Sequence, residues 1–97
     1  MKYAISYMQL SLEDITDIKA YLRGFHEGAW VKFSASLKKH ISYLADMPYM
    51  YPAYDRRSPY RKMSISEYLV FYIVRETEHM VEIHRVLHSS RDISRYI

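Results

Sequence analysis

A chain of 97 residues with a formal charge of +3 and a pI near 9.1 has room for one small basic domain, residues 1–97, and no more. An apolar content of 49% excludes disorder, and the absence of cysteine excludes a disulfide framework or a thiolate metal site. The longest uninterrupted apolar run is Tyr68–Val74, well below the roughly 20 residues of a membrane helix, and Lys2 leads into a mixed stretch and not a signal peptide. A soluble cytoplasmic protein with no membrane contact is therefore expected.

Tyr3–Met8 alternates Tyr3, Ile5 and Tyr7 against Ala4, Ser6 and Met8, the period of a strand. Ser11 is placed to cap a helix, with Glu13 and Asp14 in its first turn. Leu12, Ile15, Ile18, Leu22 and Phe25 form its apolar stripe, and Gly24 is placed to end it. Trp30, Phe33, Leu37, Ile41 and Leu44 make a second stripe that Pro48 stops, so a helix hairpin turns around His26–Gly28.

Pro48–Pro59 holds all three prolines and several of the eleven tyrosines, and reads as an irregular loop. The period then falls to two. Arg61–Ile65 and Tyr68–Val74 are strand candidates, Glu76–His79 a turn, and Met80–Leu87 a last strand. In that strand Val81, Ile83 and Leu87 are expected on one face, with Glu82, His84 and Val86 on the other. The fold class is α+β: an N-terminal strand, a two-helix hairpin and a mainly antiparallel sheet, in the order β-α-α-β-β-β.

Two clusters carry chemistry. Arg85–Asp92 leaves the last strand and delivers His88, Ser89, Ser90 and Arg91 to the end of the sheet, a proton-exchanging ring beside a guanidinium that can brace a phosphate. The alternative is that Arg91 and Asp92 pin the tail while His88 caps the strand. Arg56, Arg57, Arg61 and Lys62 lie among Tyr54 and Tyr60, a mixture of cations and aromatics suited to single-stranded nucleic acid. Equally, this is a solvated loop whose tyrosines pack on the helix hairpin. No metal is expected: His84 and His88 on a regular strand would stand about 13 Å apart, too far for one ion.

The run Tyr68-Leu69-Val70-Phe71-Tyr72, with the ending Val86-Leu87-His88-Ser89-Ser90-Arg91-Asp92, resembles the RelE/ParE family of toxins. The resemblance spans essentially the whole chain and implies a type II toxin neutralised by a cognate acidic antitoxin, with no cofactor. It also implies one of two targets. ParE-like toxins inhibit DNA gyrase; RelE-like toxins are endoribonucleases that cut messenger RNA in the ribosome.

The RelE pattern wants an arginine where Leu69 stands, and a pair of lysines where Arg61 with Met63, or Lys62 alone, is found. Arg91 matches its basic residue after the last strand, and Tyr96 lies one position from its C-terminal tyrosine. These departures lean to the ParE-like reading, with His88, Arg91 and Tyr96 as candidate catalytic residues and Arg56, Arg57, Arg61, Lys62 and Arg85 as candidate contacts to nucleic acid or target. A third reading is an inactive antitoxin-binding module. Either a homodimer or a toxin–antitoxin hetero-oligomer is compatible with the tyrosine-rich surface.

Overall fold

A computed structural model describes residues 2–97. Strand β1 (Ala4–Tyr7) leads into helices α1 (Gln9–Arg23) and α2 (Glu27–Asp46); strands β2 (Arg61–Ile65), β3 (Tyr68–Arg75) and β4 (Met80–His88) follow, and a single 3-10 turn (Ile93–Arg95) closes the chain. The sheet order is β1-β4-β3-β2, with β2–β3 and β3–β4 antiparallel and β1 parallel to β4. The expected class and element order hold.

The helix hairpin covers one face of the sheet. Phe33, Leu37, Ile41 and Leu44 of α2 and Ile18 of α1 pack on Met63, Ile65, Tyr68, Val70, Tyr72, Val81, Ile83 and Val86 in one buried cluster. Of the stripe expected on α1, Ile15 and Leu22 flank this core, whereas Leu12 and Phe25 are exposed. Phe25 instead stacks edge-on against Tyr21.

Ser11 does not cap α1. The helix begins three residues earlier than a Ser11 cap would place it, at Gln9, with Met8 in the cap position and no side-chain cap. Ser11 is fully buried, and its hydroxyl donates back to the Met8 carbonyl at 2.7 Å. Glu13 and Asp14 therefore lie beyond the first turn, and Asp14 is freed for a different role. The effective cap belongs to α2, where the His26 ring accepts the Ala29 N–H at 3.1 Å through Nδ1.

The expected faces of β4 also change. Phe71 pairs with Arg85 but Tyr72 with Ile83, so β4 carries one extra residue at His84–Arg85. Such a bulge inverts the alternation beyond it. Val86 consequently joins the helix-side core with Val81 and Ile83, while Leu87 pairs with Leu69 away from that core. His88 pairs with Tyr68 and meets its ring edge-on, whereas His84 meets Tyr60. The two histidines thus turn to different neighbours.

The loop between α2 and β2 covers part of the second sheet face. Tyr54 packs edge-on against the buried Phe71, and Tyr60 against His84, so these tyrosines pack on the sheet and not on the helix hairpin. Asp55 shapes the loop by accepting the N–H groups of Arg57 and Ser58 at 2.8 and 3.0 Å. Tyr72, fully buried, ties the start of the loop to the sheet by donating its hydroxyl to the Pro48 carbonyl at 2.9 Å.

Candidate functional site: a cleft at the end of the last strand

Strand β1 ends at Tyr7, paired with Ile83, so the rest of β4 runs on with no strand on that side. Helix α1 crosses the vacated edge. Between them opens a cleft of about 530 Å³, lined by Asp14, Asp17 and Tyr21 of α1, by Tyr68, and by Arg85, His88, Ser90, Arg91 and Tyr96. The three residues singled out as candidate catalytic groups, His88, Arg91 and Tyr96, therefore line one cavity.

Asp14 fills the place of the missing strand. Its carboxylate accepts the Val86 backbone N–H at 3.0 Å and two bonds from the Arg85 guanidinium, at 2.7 and 2.8 Å. Both side chains are largely buried, 12% and 16% exposed, so this is a two-point charge pair shielded from water. The bond from Asp14 pushes the Arg85 guanidinium even further above its ordinary pKa. Arg85, expected as a contact to nucleic acid or target, lines this cleft with its guanidinium committed to Asp14.

The tail then folds back over the cleft. Ser89 donates its N–H to the Glu67 carbonyl at 2.8 Å, and the Arg91 N–H bonds the His88 carbonyl at 3.0 Å. Arg91 donates through Nη1 to the Tyr96 hydroxyl at 2.9 Å. The Tyr96 ring lies near two guanidiniums, 5.3 Å from Arg85 and 5.7 Å from Arg91.

His88 is set by Ser90. The Ser90 backbone N–H reaches His88 Nδ1 at 3.1 Å, and the Ser90 hydroxyl lies 2.8 Å from the same atom. A backbone N–H can only donate, so Nδ1 accepts and the neutral ring carries its proton on Nε2. That nitrogen faces the exposed Glu67 carboxylate at 3.6 Å. In this geometry His88 offers a proton at Nε2, and its one lone pair is already engaged.

The basic loop is a separate surface. Arg61 pairs with Tyr72 and His88 with Tyr68, four residues along β3, or about 13 Å at strand rise. Arg61 donates to the Tyr51 carbonyl at 2.6 Å with its guanidinium 4.8 Å from the Tyr49 ring, and Lys62 lies 5.9 Å from the Tyr54 ring. Arg56 and Arg57 are exposed. Met63 lies wholly inside the helix-side core, and Leu69 turns the other way, opposite Leu87. Among the described residues, no group of three His, Asp or Glu side chains is placed to hold a metal ion.

Residues 5–93 match the family model of the ParE toxin of type II toxin–antitoxin system, parDE. The chain belongs to the RelE/ParE toxin superfamily. As a member it is the toxin of a type II toxin–antitoxin module, and its partner is a cognate antitoxin.

Solved structures share the fold of this toxin at low identity. The chromosomal ParDE system of Pseudomonas aeruginosa gives a TM-score of 0.71 at 11% identity, covering 90% of this chain and 96% of that one. An Escherichia coli RelE double mutant in the free state gives 0.67 at 16% identity, covering both chains completely, 100% and 100%. The intact E. coli RelBE toxin–antitoxin complex gives 0.64 at 17% identity, covering 92% and 99%. No curated protein matches the sequence. No helix among the described residues is long and apolar enough to cross a membrane.

Sequence reasoning missed Asp14, which lies 71 residues from Arg85 in the chain. Its place after Ser11 in the sequence points only to a dipole-compensating role in the first turn of a helix. The only signal for its actual partner is an arginine near the end of the last strand, Arg85, whose sequence context points to a target contact and not to a helix carboxylate.

Proposed function

We propose that this toxin arrests growth in the ParE manner, by inhibiting DNA gyrase and without cutting nucleic acid. The observation that carries the reading is the poverty of available positive charge in the cleft. Attack of a ribose hydroxyl on a phosphate builds negative charge on the phosphoryl oxygens, and a nuclease site stabilises it with several preorganised cations. Here Arg85 is neutralised by Asp14, Met63 is buried under the helices, and position 69, outside the cleft lining, is an apolar leucine. Arg91 is the one guanidinium lining the cleft that no carboxylate neutralises among the described residues. The His88 lone pair that would act as base is occupied by Ser90.

In this reading Arg91, Tyr96 and His88 form a contact surface for the target. The exposed pair Arg56 and Arg57, on the far loop, is available to the acidic antitoxin. A second reading, ribosome-dependent cleavage of messenger RNA, draws support from the convergence of His88, Arg91 and Tyr96 on one cavity.

Purified toxin added to a gyrase supercoiling reaction, and in parallel to a translation reaction mapped by primer extension, separates the two. Trapped gyrase–DNA complexes with intact message are expected, and Arg91→Ala should abolish the inhibition while melting like the wild type. Cuts within the ribosomal A site would overturn the gyrase reading in favour of the second.

A further inference from the structure

We propose that Asp14, on the first helix, is the positioning residue of the C-terminal cleft: by holding Arg85 it sets where Tyr96, and through Tyr96 Arg91, stand. The inference rests on the reading of this cleft as the working surface of the toxin.

Two guanidiniums share the Tyr96 ring, Arg85 at 5.3 Å and Arg91 at 5.7 Å. Like charges gathered on one ring repel, and the tail that carries Arg91 is held by few other bonds. Asp14 resolves the conflict. Its two short bonds cancel the charge of Arg85 and fix its planar fork, so that Tyr96 can accept a second cation and receive the Arg91 hydrogen bond at 2.9 Å. The same carboxylate binds the Val86 N–H just past the bulge, where β4 has lost its neighbouring strand. One residue of α1 therefore anchors both the backbone from which the tail departs and the side chain on which the tail rests. Asp14 does not bond to Arg91, His88 or Tyr96, so its effect on the surface is transmitted through Arg85.

The test uses full-length toxin labelled with 3-fluorotyrosine, its Tyr96 resonance assigned by loss in Tyr96→Phe. Asp14→Asn keeps the shape and one acceptor but removes the charge. Arg85→Lys keeps the charge but loses the two-point fork, and stands in if the first variant fails to fold. Glu13→Gln, an exposed neighbour on the same helix, is the control. Each of the two variants should shift the Tyr96 fluorine resonance, and growth-inhibitory potency should fall on the order of tenfold to a hundredfold, as expected when a charge-assisted contact is lost. The control should change neither. An unmoved Tyr96 resonance in both variants would overturn the proposal. A shifted resonance with unchanged potency would uphold the positioning role and sink instead the reading of the cleft as the working surface.

Discussion

Tyr72 shows how one side chain can join three parts of this protein. Its ring lies in the helix-side core, its backbone pairs with Arg61 and Ile83, and its hydroxyl holds Pro48. Burial pushes its phenol from the ordinary 10.0 up to about 12. A phenol raised in the folded state contributes stability that is intact below pH 10, the unfolded value, and is lost as the pH rises through 12. Tyr72→Phe should cost about 1 kcal/mol at neutral pH, the net worth of one hydrogen bond. It should also weaken the loss of stability between pH 10 and 12. Urea melts of both proteins at pH 7 and across that alkaline window give the comparison; equal alkaline slopes would show that Tyr72 is not responsible. At this scale the sequence was informative where chemistry is local. His88, Ser90 and Arg91 lie within four positions of one another, and their convergence could be read from the chain. Asp14 could not, because its role arises only when α1 crosses an edge of β4 that β1 leaves open.

Among the elements, α2 was the most legible, since its stripe is long and Pro48 ends it. Its beginning was not, because histidine is an uncommon cap. The His26 ring sits in the cap position and accepts the Ala29 N–H, and a Cβ added to Gly28 would come within 3.1 Å of the same ring nitrogen. Gly28 thus leaves room for the cap. His26→Ala should destabilise the fold by about 1 kcal/mol, and His26→Asn, which restores an acceptor, should recover most of that loss. Thermal melts that rank the asparagine variant with the alanine one would remove the capping role. The bulge of β4 accounts for the exchanged faces of that strand. A period of two identifies the strand Met80–Leu87, but one inserted residue changes which side chains face the helices, and no glycine marks the place. Ser66 and His79 likewise take positive φ angles of 54° and 53° at the two hairpin turns, where glycine would have signalled the turn.

For the whole molecule, the sheet is covered on one side by helices and on the other, in part, by the tyrosine loop. The principal core is the helix side, and Leu44 lies wholly within it. Leu44→Ala should cost about 2–5 kcal/mol. For a domain whose total stability is on the order of 5–15 kcal/mol, that is a large share, readable as a fall in the urea midpoint. A midpoint unchanged within error would mean that the hairpin does not rest on the sheet through this residue. The order of elements was legible because each has its own period. The parallel pairing of β1 with β4 was not, since nothing local in either strand specifies a partner some 76 positions away.

That pairing has a consequence for how the poison comes into being. The first strand can find its neighbour only after the last has been made, and one wall of the cleft is built from that last strand and the residues that follow it. A chain interrupted during synthesis before Met80 has β1 without its partner and none of His88, Arg91 or Tyr96. On the reading proposed above, such a fragment should be both poorly folded and harmless to the cell, a pairing of defects that expression of the truncated chain would check.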